Sequence, residues 1–157
     1  MSISKRFGLI LSAFALSAIT SMGVVQAAAD NRADTPGASS VKAAKERVVI
    51  QVSDGDPKTW NQALNVVNNL KSAYGKNKVE VEIVVFGNGI GMLKAESEVG
   101  NRIHEALESG TYVAACMNTM RGRKLQKDDM LTGLSYVEVG IIEIIEKQRQ
   151  GWAVIRP

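Results

Sequence analysis

Cysteine is almost absent from this chain, which holds a single one, Cys116, among its 157 residues. A lone cysteine cannot close an internal disulfide, although it can pair with another chain. Histidine is equally scarce, with His104 alone. One cysteine and one histidine cannot supply the ligands of a structural zinc site. We therefore expect no metal centre, and we interpret His104 as a residue at the boundary of a helix's apolar face.

Aromatic residues and excess charge are also scarce. Aromatic side chains make up 5% of the sequence, and 19 Lys and Arg stand against 16 Asp and Glu. The first 27 residues hold Lys5 and Arg6 and no acidic residue, which leaves 17 basic and 16 acidic residues in the remainder. A nucleic-acid surface needs clustered basic residues, commonly with aromatic residues that stack on bases. The composition therefore disfavours a nucleic-acid partner.

Long apolar runs are confined to the N-terminus. The basic pair Lys5 and Arg6 precedes an apolar run at 7–19, and small-x-Ala patterns end at Ala27 and Ala29. This arrangement is typical of a secretory signal peptide. We expect cleavage near Ala27 or Ala29, export to the periplasm and no stable membrane insertion afterwards. The alternative is an uncleaved anchor, which the Ser, Thr and Gly within the apolar run disfavour.

The sequence after the predicted signal peptide (residues 1–27) divides into two parts. Residues 28–46 are small and polar, with proline and glycine and no aromatic side chain, which is typical of a disordered leader. Residues 47–157 are long enough for one domain with its own core and too short for two.

Strand and helix patterns alternate along residues 47–157. The predicted strands are 47–52, 79–86, 112–116, 135–139 and 152–155. The predicted helices are 58–74, 97–109 and 141–150, with at most a short helix at 126–130. Such alternation predicts an α/β fold, in which a mainly parallel five-stranded sheet forms the middle of three α/β/α layers in the flavodoxin-like topology class.

Three loops follow predicted strands at the carboxyl edge of this sheet, where open α/β folds bind ligands. The first holds Asp54 and Asp56, which could bind a cation; we predict instead that Asp56 caps the helix that Pro57 opens. The second holds Gly87, Gly89 and Gly91, whose backbone N–H groups could cradle an anion. A tight turn explains these glycines equally well.

Two flavodoxin-shaped alternatives fail at their main residues. A flavin phosphate loop after the first strand would not carry Asp54 and Asp56, because both carboxylates repel phosphate. A phospho-receiver needs an aspartate after the third strand and a lysine after the fifth. This sequence has Cys116 and Asn118 at the first place and Arg156 at the second.

The third loop begins at Cys116, for which two interpretations remain open. A buried cysteine at a strand end can serve as a small hydrophobic side chain. Arg121, Arg123 and Lys124 follow closely, however, and nearby cations lower the pKa of a thiol and raise its thiolate fraction. The residues alone do not decide between a structural and a reactive cysteine.

Four stretches together carry a resemblance to a known family. They are VVIQVSDG at 48–55, FGNGIGML at 86–93, Cys116 with the downstream Arg121-Gly122, and GIIEIIEKQRQGWAVIRP at 140–157. In order and spacing the sequence resembles the DsrE/DsrF-like sulfur-trafficking family over residues 47–157. The resemblance implies a three-layer α/β/α fold and homo-oligomers or hetero-oligomers. It also implies sulfur relay, in which a cysteine at the position of Cys116 takes sulfane sulfur as a persulfide.

The functional hypothesis is a periplasmic protein that binds or relays sulfane sulfur on Cys116 without a cofactor. A sulfur donor or acceptor protein would be its partner. Its predicted substrate-binding residues are Asn118, Arg121, Arg123, Gly87 and Gly89. The alternative is a non-catalytic binding or assembly subunit with a structural cysteine, and exposure of the Cys116 sulfur discriminates between the two.

A stripe of asparagines on the first predicted helix suggests a contact surface. Asn61, Asn65 and Asn68 share one helix face. Amide side chains are poor helix formers but useful paired donors and acceptors. We predict that the stripe packs against a neighbouring subunit or lines the site.

Overall fold

The computed structural model describes residues 45–157. The predicted signal peptide at 1–27 and nearly all of the predicted leader at 28–46 lie outside the described residues. The strands are β1 (Glu46–Val52), β2 (Val79–Val85), β3 (Tyr112–Cys116), β4 (Ser135–Val137) and β5 (Ala153–Ile155). The helices are α1 (Pro57–Tyr74), α2 (Gly100–Glu108), α3 (Met117–Gly122) and α4 (Gly140–Arg149), with 3₁₀ segments at Gly87–Leu93 and Lys127–Asp129.

The five strands form one sheet in the order β4-β3-β2-β1-β5, and all four pairings are parallel. The chain builds the sheet outward from β1 to β4 and then returns to place β5 on the other side of β1. The register aligns Val52 with Val85 and Cys116 with Val137, so the carboxyl ends of these strands meet at one edge. The predicted α/β fold with a five-stranded parallel sheet is confirmed.

The two faces of the sheet are covered by different numbers of helices. On one face, α1 and α2 bury side chains such as Leu64 and Ile103 against Ile50 and Ile83, in the larger core. On the other face, Ile144 of α4 packs with a smaller group. That group contains Val49, Val84, Ala114 and Trp152. Adjacent strand residues therefore face opposite cores. Each fully buried Ile or Val side chain stabilises the fold by roughly 1.5–3 kcal/mol.

Helix α1 begins as the sequence predicts. Asp56 has extended backbone angles, and its carboxylate accepts the N–H of Lys58 at 2.9 Å, while Pro57 occupies the first helical position. The carboxylate of Asp54 accepts the N–H of Asp56 at 2.8 Å. The predicted capping role of Asp56 is confirmed.

Several predicted boundaries differ from those observed. Helix α2 starts at Gly100 rather than at residue 97, because turns occupy the preceding residues and the Gly100 N–H donates to the Ser97 carbonyl. Helix α3 is absent from the predictions, since its six residues are too few to show helical periodicity. Among residues 45–157, no helix combines the length and the apolar composition that crossing a membrane requires.

Candidate functional site around Cys116

Cys116 is the last residue of β3 and the N-cap of α3. Its side chain faces the α4 layer, because Ala114, two residues earlier on the strand, packs in the smaller core. The cysteine is free, and the residue is 3% exposed. The start of α4 lies directly against it: a Cβ added to Gly140 would lie 3.3 Å from the Cys116 Cβ and 3.2 Å from the Phe86 Cβ.

Backbone N–H groups at the N-termini of two helices point at the sulfur. The Thr119 N–H, in the first turn of α3, donates to Sγ at 3.4 Å. The Gly140 N–H, at the first position of α4, donates to Sγ at 3.2 Å. Such N–H groups have no partner within their own helix and carry the positive end of the helix dipole. In the thiol form, Sγ can donate to the Glu138 carbonyl 4.0 Å away.

This environment favours the thiolate. Burial alone raises the pKa of Cys116, because removing the sulfur from water disfavours its charged form. The Thr119 hydroxyl and the N–H groups of Gly140, Thr119 and Asn118 outweigh burial, and the net pKa of the thiol is lowered. The lowering is thus attributable to hydrogen bonds, whereas the sequence suggested nearby arginines as its cause.

Gly87 supports this arrangement from the neighbouring strand. It follows β2 by two residues with φ of 58°, a left-handed conformation that favours glycine. Its N–H donates to the Thr119 Oγ1 at 3.0 Å, so it fixes the hydroxyl that acts on Cys116. Gly87 therefore contributes to the site indirectly, through its hydrogen bond to Thr119.

Gly89 serves the packing of the same turn. Its N–H is directed at the carbonyls of Ser53 and Phe86, at 3.1 and 3.0 Å. A Cβ at this position would lie 2.7 Å from the Val52 carbonyl oxygen, so the close approach to β1 requires glycine. Since the N–H groups of both Gly87 and Gly89 bond to protein acceptors, the structure supports the tight turn rather than an anion cradle.

A scan against protein families matches residues 46–157 to the DsrE/DsrF-like family. The chain belongs to that family. Among solved structures, it is similar to a protein of unknown function, MTH1491, from Methanobacterium thermoautotrophicum. The two are 31% identical with a TM-score of 0.68, and the match covers 71% of this chain and 99% of that one.

Two further structures share the fold of this DsrE/DsrF-like protein. One is the conserved protein of unknown function BT1422 from Bacteroides thetaiotaomicron, at 18% identity and a TM-score of 0.60, covering 71% of this chain and 95% of that one. The other is the ychN protein from E. coli, at 10% identity and a TM-score of 0.59, covering 72% and 99%. A search of curated protein sequences finds no match.

The predicted polar side chains of this DsrE/DsrF-like protein surround the cysteine loop without converging on Sγ. Arg121 forms an exposed ion pair with Glu138, with 3.0 Å between Nη1 and Oε2. Arg123 donates to the Asn88 Oδ1 at 2.6 Å. The Asn118 side chain is exposed. Its backbone N–H donates to the Glu138 carbonyl at 3.0 Å, and the same N–H contributes to the lowered pKa of Cys116.

Thr119 and Gly140 are the site residues that the sequence reasoning missed. The threonine lies three residues after the cysteine, a spacing that brings its N–H to the sulfur only if a helix starts at Met117. Because α3 went unpredicted, so did this bond. The glycine had a visible signal, since it stands between a predicted strand and a predicted helix, but its contact with Cys116 spans 24 residues.

A cavity of about 350 Å³ opens at the same edge of the sheet. It is lined by Ile90, Gly91, Lys94, Arg123 and Leu125. Cys116 does not line it, so the cavity and the thiol are separate features. Residues 45–157 contain no group of three or more His, Cys, Asp or Glu side chains placed to hold a metal ion.

Proposed function

We propose that this protein accepts sulfane sulfur on Cys116 and passes it on, as an exported member of its family. The observation that carries the proposal is the set of hydrogen bonds to Sγ from Thr119 and Gly140, which lower the pKa of the thiol. A thiolate is the reactive form in sulfur chemistry. Membership of the DsrE/DsrF-like family supports the same chemistry.

The reaction needs one thiolate and one donor. The Cys116 thiolate attacks the terminal sulfur of a persulfide donor R–S–SH, and a new S–S bond forms as the donor's S–S bond breaks. The products are Cys116–S–SH and the thiolate R–S⁻, which leaves with the electron pair. An acceptor thiolate then attacks the terminal sulfur in the same way and releases the Cys116 thiolate. No change in total oxidation state occurs, so no external oxidant or reductant is consumed.

The same hydrogen bonds suit both forms of the cysteine. The Thr119 and Gly140 N–H groups stabilise the thiolate before it attacks the donor. When the acceptor removes the terminal sulfur, the negative charge returns to Sγ, and the same N–H groups stabilise it again. A chain without a second cysteine cannot divert the bound sulfur into an internal disulfide. We propose that donor and acceptor are other proteins or small sulfane-sulfur compounds outside the cytoplasm.

A second function is favoured by one observation, the 3% exposure of Cys116. A thiol that stays covered would act as a small hydrophobic side chain in a binding or assembly subunit. Sulfur transfer instead requires that one of the segments in contact with Sγ moves far enough to admit a donor. One such segment runs from Glu138, whose carbonyl lies 4.0 Å from Sγ, to Gly140, whose N–H lies 3.2 Å from it. The two functions therefore differ in whether native Cys116 can be reached.

Intact mass spectrometry after polysulfide treatment separates the two functions. For sulfur transfer we expect the native protein to gain the mass of one sulfur atom, to lose it on addition of a thiol, and to gain nothing in the Cys116→Ala variant. Iodoacetamide should label native Cys116, and faster than a free model thiol below pH ~8. If labelling and mass gain occur only in denaturant, the sulfur-transfer proposal is wrong and the assembly function stands.

A further inference from the structure

The cavity of about 350 Å³ at the carboxyl edge of the sheet is separate from the thiol and has the features of a ligand site. Two segments line it, the 3₁₀ segment after β2 and the turn after α3. The lining residues are Ile90, Gly91, Lys94, Arg123 and Leu125, and we call it the Lys94–Arg123 cavity. Open α/β sheets bind ligands at this edge. The volume is at the lower end of the range for small-molecule sites, so the ligand must be small.

The charge of the lining favours an anion. Lys94 and Arg123 are basic, and no acidic residue lines the cavity. The two carboxylates that are close to Lys94 or Leu125 in sequence are engaged outside the lining. Glu96 pairs with Lys94 but is itself 68% exposed, and Asp129 accepts the backbone N–H of Gln126 at 2.7 Å. A concave wall that carries charge of one sign concentrates ligands of the opposite sign.

The present partners of the two basic side chains can be replaced by an anion. Arg123 donates to the neutral Asn88 Oδ1 at 2.6 Å, and the exposed pair of Lys94 with Glu96 stabilises the protein little. A guanidinium has five donors and an ammonium three, so both side chains keep donors for a ligand. Hydrogen bonds from such cations to a carboxylate are stronger than those to a neutral amide.

The apolar part of the lining selects an organic anion over an inorganic one. Ile90 is 1% exposed, and Leu125 is partly buried. Gly91 packs on the indole of Trp60, since a Cβ added to this glycine would lie 3.2 Å from the Trp60 Cη2. An inorganic ion would leave this wall in contact with water, whereas an apolar group attached to the anion would cover it.

The turn after α3 holds its two lining residues in place. Between them, Lys124 has φ of 57°, and within residues 45–157 it is the one residue other than glycine with a positive φ. Its N–H donates to the Arg121 carbonyl at 3.1 Å, and the Leu125 N–H donates to the Met120 carbonyl at 2.9 Å. Such a conformation persists where the surrounding structure fixes it, often at binding sites. The wall that carries Arg123 and Leu125 is therefore held by backbone hydrogen bonds.

A second cavity with basic residues is a weaker candidate. It is lined by Lys71 and Lys76, but Glu105 shares the lining and offsets their charge. Lys71 also donates to the Ser109 carbonyl near the end of α2, which is a structural role for a buried lysine.

The asparagine stripe of α1 does not provide a comparable site. Arg102 of α2 donates to the side-chain oxygens of Asn61 and Asn65, the latter at 2.7 Å. Asn68 lines the cavity beside Lys71 and not the Cys116 loop. The predicted contact of this stripe with a neighbouring subunit stays a prediction.

We propose that the Lys94–Arg123 cavity binds a small organic anion. A carboxylate or sulfonate of the ligand lies between Lys94 and Arg123, and its apolar group contacts Ile90 and Leu125. The ligand displaces Glu96 from Lys94, so binding weakens as salt screens the charges. The proposal does not rest on sulfur transfer, because Cys116 does not line the cavity.

Nuclear magnetic resonance titrations of the wild-type protein, purified from the full-length chain, test the ligand class. Benzoate should shift the backbone amide signals of Gly91 and Leu125. Benzamide has the same ring without the charge and should bind at least ~10-fold more weakly, since it loses the charge-assisted bonds. Inorganic sulfate should bind at least ~4-fold more weakly than benzoate, the value of one buried CH₂ group.

Four single variants locate the site. Lys94→Met and Arg123→Met should each weaken benzoate binding about 10-fold. Glu96→Gln should strengthen it roughly 2- to 5-fold, because Lys94 loses its competing partner. Lys124→Met is the matched control: it removes the same charge next to Arg123 from an exposed residue that does not line the cavity, and it should leave the affinity nearly unchanged.

Each of the following outcomes contradicts the proposal. Benzoate shifts neither amide signal at millimolar concentration, or benzamide or sulfate binds the wild-type protein as tightly as benzoate does. Lys94→Met and Arg123→Met, shown to be folded by circular dichroism, keep the wild-type affinity. Lys124→Met loses as much affinity as Arg123→Met, which would mean attraction to the general positive charge of this region. A loss of persulfide formation on Cys116 would bear on sulfur transfer alone, since none of these titrations depends on it.

Discussion

Cys116 ionises more readily than a buried thiol should, because backbone and hydroxyl donors surround its sulfur. Thr119→Val removes the hydroxyl that contributes to this effect, and we expect it to raise the pKa of Cys116, whereas Thr119→Ser should keep the pKa low. The measurement is thiolate absorbance or alkylation rate against pH. Equal titration curves for the valine and serine variants would show that the hydroxyl has no part in ionisation.

The sign of the pH effect on stability follows from the direction of this pKa shift. The folded protein binds the Cys116 proton less tightly than the unfolded chain does. The stabilisation is therefore fully present above the unfolded pKa of about 8.5, and it is lost as pH falls through the folded pKa. In Thr119→Val the gain in stability with rising pH should be smaller than in Thr119→Ser.

The position of Cys116 at the candidate site could be read from the sequence, but the cause of its lowered pKa could not. A cysteine closing a predicted parallel strand must lie at the carboxyl edge of the sheet. Arg121 and Arg123 are close to it in sequence and were therefore proposed as the cause of a lowered pKa, yet they bond to Glu138 and Asn88. The Gly140 N–H acts on the sulfur through tertiary packing, which local sequence does not reveal.

A buried ion pair beneath α4 offers a second test at the scale of single residues. Glu82 of β2 is buried and pairs with Lys147, which also contacts Glu143 at 3.5 Å and lies 4.4 Å from the Trp152 ring centroid. Burial raises the pKa of Glu82, and the bond to Lys147 opposes the rise. Removing one partner of such a pair leaves an uncompensated charge in the core.

We expect Lys147→Met to lower the free energy of unfolding by about 3 kcal/mol near neutral pH. Replacing both partners, as Glu82→Leu with Lys147→Met, should recover most of that loss. Because a carboxyl with a raised folded pKa costs stability as pH rises through that pKa, the deficit of Lys147→Met should shrink in acid. Urea denaturation at several pH values measures both effects, and a double variant no more stable than the single one contradicts them.

At the scale of elements, the alternation of strands and long helices was predictable and the short connections were not. Apolar periodicity found α1 and the strands because many buried positions repeat there. Helix α3 and the 3₁₀ segment Gly87–Leu93 depend instead on caps and close backbone approaches. Such features are set by one or two contacts, and a sequence pattern cannot distinguish them from ordinary turns.

The 3₁₀ segment should tolerate little change at its tightest point. Gly89→Ala would place a Cβ 2.7 Å from the Val52 carbonyl oxygen, a backbone atom that cannot rotate away. We expect a loss of roughly 1–3 kcal/mol in unfolding free energy, as for other overpacked sites. Gly122→Ala, with nothing within 4 Å of the new Cβ, is the control and should be neutral or slightly stabilising. Similar stabilities for the two variants would show that β1 can yield to the added methyl group.

At the scale of the whole molecule, the sequence predicted the three layers but not the different numbers of helices that cover the two faces of the sheet. Parallel strands with crossover helices require helices on both faces. Which helix goes to which face follows from the strand order β4-β3-β2-β1-β5, and that order is a tertiary property. Placing β5 beside β1 leaves α4 to cover its face, where α4 contributes Ile144 to the smaller core while Ile141, Ile142 and Ile145 stay exposed.

The N-terminal segment supports a final prediction about the protein as it is made. The basic pair Lys5 and Arg6, the apolar run behind it and the small residues up to Ala29 predict cleavage after Ala27 or Ala29. Since β1 starts at Glu46, cleavage at either point leaves every described helix and strand intact. We expect N-terminal sequencing of periplasmic protein to begin at Ala28 or Asp30.

A double variant that blocks cleavage provides the control for this prediction. Ala27→Asp combined with Ala29→Asp removes the small side chains that a signal peptidase requires, so the unprocessed chain should accumulate with the membrane fraction. The fold of residues 46–157 should be unaffected, because both substitutions precede β1. Wild-type protein that retains Met1, or that is recovered with membranes as the double variant is, would show that the apolar run is an anchor. Any reaction of Cys116 would then take place on a membrane-anchored protein.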